Sequence, residues 1–138
     1  MTNTPNANMT STDAPIKDVL ARFPALVLAL VFGSVARGQA HFESDLDIAV
    51  AARQALTITE KMDLIAALAE RTGRPIDLID LKVAAEPLMG QILRHGRRLM
   101  GSDEAYAQLI TRHLYEQADF MPYRNRILAE RRAAWIGK

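Results

Sequence analysis

An apolar run that stops at Gly33-Ser34 and resumes behind two aspartates constrains this chain more than any other feature. Residues 31–50 read VFGSVARGQAHFESDLDIAV. Ten residues separate Gly33-Ser34 from Asp45, Asp47 follows after one more, and Ile48, Ala49 and Val50 restore the apolar character. The pattern predicts a loop between two strands, with charge where the second strand begins. Strand side chains alternate between faces, so Asp45 and Asp47 point one way while Leu46, Ile48 and Val50 point the other. One face of the second strand is acidic and the other belongs to a core.

Two ionised carboxylates on neighbouring same-face positions repel, and strands disfavour Asp, so the pair carries a local cost. A hard divalent cation removes that cost. Mg²⁺ is commonly held by one or two carboxylates plus substrate phosphates, which suits a nucleotide carrying its metal. Gly33 permits positive φ or a close backbone approach, and Ser34 adds a hydroxyl beside backbone N–H groups that form an anion site if a helix opens there. Taken singly these parts are ordinary: Gly-Ser after a strand is usually a turn, Asp-x-Asp a solvated strand end, and Arg37-Gly38 another turn. Their order and spacing, between two apolar strands, carry the specificity.

The rest of the chain frames this unit. Residues 1–13 are rich in Thr, Asn and Ser and read as a disordered tail. Asp13 is placed to cap a helix over Ala14–Arg22, with Ile16, Val19 and Leu20 inward and Pro24 ending it. Ala25–Phe32 reads as a strand covered on both faces. Residues 35–41 suit a short helix or turn broken by Gly38. Thr57 and Glu60 make a capping-box pattern ahead of a helix to Arg71 that carries Ile58, Met62, Ile65, Leu68 and Ala69 at helical spacing, and Gly73 stands where it would stop.

Pro75 introduces a third strand, Ile76–Leu81, with the sequence IDLIDL. If Ile76 and Leu78 join the core, Asp77 faces the same side as Asp45 and Asp47. Asp80 is the rival, because a strand end or bulge can reverse its direction. A short helix over Glu86–His95, a small edge strand over Arg97–Met100 and a helix from Asp103 with Tyr106, Leu109, Ile110 and Leu114 follow. Pro122 interrupts the pattern before a last helix, Tyr123–Ile136. The organisation expected is a tail (1–13), a core (14–101) and a helical extension (102–138), packed on the core or used at an interface.

Composition sets the class. The 138 residues are 49% apolar and 24% charged with no Cys, as in an ordinary globular domain without disulfides or thiolate metal sites. The longest apolar run, Ala25–Phe32, is too short to cross a bilayer, and no basic leader precedes an apolar stretch, so a cytoplasmic location is expected. Net charge is +1, but residues 1–93 hold eight Lys or Arg against eleven Asp or Glu, and residues 94–138 hold nine against five. The acidic part carries the aspartate motif. The basic end reads as a solvated face and gives no ground for direct nucleic-acid binding.

Gly33-Ser34, ten residues, then Asp45-x-Asp47, with Ala36-Arg37-Gly38 and Ser44 between them, resembles the signature of the DNA polymerase beta-like nucleotidyltransferase superfamily. The short chain resembles its minimal nucleotidyltransferase branch, the antitoxins of HEPN/MNT toxin–antitoxin pairs, over about Ala25–Met100. The resemblance implies an α/β (α+β) fold with a small mixed sheet, helices packed on it, and C-terminal helices beyond. It implies that Asp45, Asp47 and Asp77 are catalytic metal ligands, with Asp80 the alternative third carboxylate, and that Gly33, Ser34, Arg37 and Ser44 bind nucleotide. Two Mg²⁺ ions, ATP as substrate and a cognate HEPN-domain toxin as protein acceptor are implied with them. The expected reaction transfers AMP from ATP to a tyrosine of that toxin and releases pyrophosphate. The alternatives are capture of the toxin with catalysis weak or lost, or nucleotidyl transfer to another acceptor.

Other chemistries fit poorly. His41, His95 and His113 show no metal-ligand spacing. No Gly-Lys-Ser/Thr closes a Walker loop, no Gly-x-Gly-x-x-Gly fingerprint is present, and no Gly-x-Ser-x-Gly elbow surrounds Ser34. The HEPN ribonuclease motif Arg-x4-His fails at His113, which has Gln108 where the arginine would stand.

Overall fold

The structure is a computed structural model and describes residues 7–36 and 44–118, with the side chains of residues 7–12, 34 and 35 outside that description. The elements run α1 (Ala7–Leu20), β1 (Leu26–Phe32), α2 (Gly33–Ala36), β2 (Leu46–Ala52), α3 (Ile58–Thr72), β3 (Ile76–Asp80), α4 (Leu88–His95) and β4 (Arg97–Gly101). A further helix, α5, occupies residues 103–118. The four strands form one mixed sheet in the order β3-β2-β1-β4. β1 pairs antiparallel with β2 and β4, whereas β2 and β3 are parallel. That parallel pair needs a crossover, which α3 supplies.

β1 sits at the centre because nothing in its sequence needs water. Leu28, Ala29, Leu30 and Val31 are each at most 1% exposed. On one face of the sheet, Val31, Ile48 and Val50 pack with Ile16, Val19 and Leu20 of α1 and Leu64 and Leu68 of α3. On the other face, Leu28, Leu30, Ala49 and Ala51 pack with Met89 and Ile92 of α4 and Leu109 of α5. Burying one such aliphatic side chain is worth about 1.5–3 kcal/mol. Register is therefore dictated by these side chains, since a slip by one residue would send all of a strand's apolar side chains to the wrong face.

The capping box expected on α3 is present. Glu60 N donates to Thr57 Oγ1 (3.1 Å) and Thr57 N to Glu60 Oε1 (2.8 Å), and Gly73 ends the helix with φ +70°. Its inward face keeps Leu68 of the expected stripe and otherwise differs from it. Leu64 and Leu68 are buried, while Ile58 and Met62 are 77% and 64% exposed. Leu64 and Leu68 lie about a third of a turn round the helix from Ile58 and Met62, and it is the leucine stripe that meets the sheet.

Two other expectations need correction. α1 begins at Ala7, so residues 7–13 of the expected tail are helical and Asp13 lies inside the helix instead of capping it. Its carboxylate is paired with the Arg97 guanidinium of β4, with Nη2 to Oδ1 at 3.1 Å. In α5, Leu109 is buried as expected, but Leu114 is 56% exposed because it lies off the face that meets the sheet. Residues 1–6, the loop residues Arg37, Gly38 and His41, Pro122 and the expected helix over Tyr123–Ile136 lie outside the described residues.

Candidate functional site

The candidate site lies at one end of the sheet, where β1 finishes and both β2 and β3 start. Antiparallel pairing sets Phe32 opposite Asp47, and Gly33 follows directly. Parallel pairing sets Asp47 opposite Asp77. Partners in register share a face, so two carboxylates stand side by side on adjacent strands. Asp45 precedes β2 by one residue and is exposed, as is Asp77; Asp47 is half-buried. Asp47 and Asp77 share the face of Ala49, Ala51 and Ile79, opposite the core that holds Ile48 and Leu78.

Gly33 is required twice over. Its φ of +72° is costly for any residue with a Cβ, and a Cβ built there would collide with the Asp47 carboxylate. The turn and the acid are thus in direct apposition. Gly33 also opens α2, bringing Ser34 to the same end of the sheet; the Ser34 side chain and Arg37 fall outside the described residues. Ser44 is half-buried beside Asp45.

Asp80 stands apart from this group. It pairs with Val50, on the opposite face from Asp77, and is 4% exposed. Oδ2 accepts from Leu56 N and Oδ1 from Lys82 N, both at 2.9 Å. Its carboxylate joins the loop ahead of α3 to the turn after β3, which is a structural task at the far end of the strand.

One contact was absent from the sequence reading. Arg74, between the stop of α3 and the start of β3, donates from Nη1 to the Ser44 carbonyl oxygen at 3.1 Å. A Gly-Arg-Pro run at a helix stop carries no pattern that announces this, because Ser44 is thirty residues away in sequence.

The donor set suits a divalent cation completed by a substrate. Among the described residues no three Asp, Glu, His or Cys side chains converge closely enough to hold a metal by themselves. Mg²⁺ does not need such a cage, since it keeps water and takes phosphate oxygens alongside one or two carboxylates. The carboxylates this end of the sheet offers are Asp47, Asp77 in register across the ladder, and Asp45 two residues before Asp47.

The chain has relatives among known proteins. The chain is 34% identical over 108 residues, 75% of its length and 78% of the other's, to the protein adenylyltransferase MntA of Shewanella oneidensis. A crystal structure of a toxin–antitoxin with AMP-PNP contains a chain 28% identical, with a TM-score of 0.75 over 86% of this chain and 96% of that one. A Shewanella oneidensis MNT antitoxin, in complex with a tri-AMPylated HEPN toxin, shares the fold at 24% identity, with a TM-score of 0.72 over 88% of this chain and 97% of that one. The family described as "Polymerase beta, Nucleotidyltransferase" matches residues 15–105, a span that begins in α1, takes in the whole sheet and the aspartates of β2 and β3, and runs into α5. With the glycine turn, the Asp-x-Asp strand and the paired third aspartate on one sheet end, this chain belongs to the polymerase beta nucleotidyltransferase family.

Proposed function

We propose that this protein is an antitoxin that works as a protein adenylyltransferase, moving AMP from ATP to a tyrosine of a cognate HEPN ribonuclease toxin. The observation that carries the reading is the in-register pair Asp47–Asp77 against the Gly33 turn, in a chain 34% identical to a protein adenylyltransferase. The AMP-PNP complex of a 28% identical chain supports ATP as the nucleotide.

In this mechanism Asp45 and Asp47 would hold the metal that carries the triphosphate, and Asp77 would join them in holding a second. Two Mg²⁺ ions would supply Lewis-acid stabilisation of the entering and leaving oxygens. Gly33 lets the backbone approach the β- and γ-phosphates, Ser34 hydrogen-bonds them, and Arg37 and Ser44 complete the nucleotide contacts. The tyrosine oxygen forms a bond to the α-phosphorus as the bond to the β-phosphate oxygen breaks, in line. Pyrophosphate leaves, and the phenolic proton passes to solvent. The acidic face holds these groups without covalent participation, so catalysis rests on positioning and charge. The cytoplasm, where ATP and a ribonuclease target coexist, is the proposed location; among the described residues no helix is long and apolar enough to cross a membrane.

The test is to mix the protein with its partner HEPN toxin, ATP and Mg²⁺ and to follow the toxin by intact mass. The expected result is the addition of AMP, lost when Asp45 and Asp47 are both changed to Asn. Neutralisation that survives both changes at native expression would make capture sufficient and reject a catalytic antitoxin.

A further inference from the structure

Asp45 is exposed and lies outside β2, so something other than the strand must hold it. Its two flanking peptide groups are both tied to one short segment of the chain. On the N-terminal side, the Ser44 carbonyl accepts from Arg74 Nη1 at 3.1 Å. On the C-terminal side, Leu46 N donates to the Pro75 carbonyl at 2.8 Å. Asp45 is therefore bracketed by Arg74 and Pro75.

That segment is itself fixed by the end of α3. Gly73, at φ +70°, turns the chain out of the helix with its N–H donating to Ala69 O (2.8 Å). Thr72 Oγ1 donates to Leu68 O (2.7 Å) and accepts from Arg74 N (3.3 Å). Leu68 is wholly buried under the sheet. The line of support thus runs from the core through the α3 stop to Arg74, and from its guanidinium to the peptide ahead of Asp45.

We propose that Arg74 is a positioning residue for the metal-binding carboxylates, acting through the Ser44 carbonyl to fix the backbone that carries Asp45. The proposal rests on the nucleotidyltransferase reading of the site for its catalytic consequence, but the backbone restraint stands on the two hydrogen bonds alone. A guanidinium suits the task because it stays charged and its planar fork holds direction, whereas a lysine ammonium offers a point charge on a flexible stem.

Two measurements on the full chain test it. Amide hydrogen exchange in Arg74→Ala is expected to speed at Leu46 by about tenfold, the size of one charge-assisted hydrogen bond, while Leu30 in the central strand keeps its protection. AMP transfer to the HEPN toxin is expected to lose about tenfold or more in kcat, with a raised Mg²⁺ requirement at half-maximal rate. Arg74→Lys is expected to recover part of both. Unchanged exchange at Leu46 overturns the proposal whatever the activity does. Faster exchange with unaltered kcat and Mg²⁺ dependence overturns it equally. If the unsubstituted protein takes up no Mg²⁺ and ATP, the functional reading fails while the exchange pattern still decides whether Arg74 holds this segment.

Discussion

Asp77 and Asp80 lie three residues apart on one short strand and face opposite demands. Asp77 is exposed and opposes Asp47 across the parallel ladder. Like charges directly opposite cost about 0.2–1 kcal/mol, a charge the strands carry because aliphatic burial elsewhere exceeds it several-fold. Asp77→Asn is therefore expected to raise stability slightly while lowering AMP transfer. Asp80→Ala should lower stability and leave AMP transfer by the folded protein unchanged. Its loss strips two backbone N–H groups, at Leu56 and Lys82, of their acceptor and should cost about 1–3 kcal/mol. Urea unfolding of both variants beside a transfer assay checks the contrast, and a stable Asp80→Ala with reduced catalysis would exchange the two roles.

Among the elements, α3 separates what local sequence encodes from what packing imposes. Thr57 and Glu60 form their reciprocal cap as the spacing predicts, because both partners lie within one turn. Thr57→Ala is expected to destabilise by about 1 kcal/mol. Ile58 and Met62 stand in water at 77% and 64% exposure, so Ile58→Ser with Met62→Ser should leave stability within about 0.5 kcal/mol. Equilibrium unfolding of both variants checks the pair. A large loss in the serine variant would mean that this face, not that of Leu64 and Leu68, meets the sheet.

At the scale of the whole molecule, one four-stranded sheet divides two cores, and α1 is joined to the edge strand β4 through Asp13 and Arg97. The Asp13 side chain is 5% exposed and that of Arg97 25%. Removing one partner of a fully buried pair costs about 3–5 kcal/mol, and the partial exposure of Arg97 lowers the expectation for Asp13→Ala to about 2 kcal/mol. Asp13→Ala combined with Arg97→Met should recover much of that loss, since it leaves no uncompensated charge. Thermal unfolding of the single and double variants measures the coupling.

The sequence by itself determined the four strands, the cap of α3, the stop at Gly73 and the acidic face of β2, because each depends on neighbours within a few residues or on the two-residue repeat of a strand. It also carried the family, since the spacing from Gly33 to Asp47 is a local property. The tertiary structure alone decided that Asp47 meets Asp77 in register, that Asp80 turns inward, which stripe of α3 is buried, and that Asp13 pairs with Arg97. It alone brought Arg74 to Ser44. Each of these depends on contacts closed over tens of residues, where several partners satisfy the same local pattern and only the packing of both cores against one sheet chooses among them.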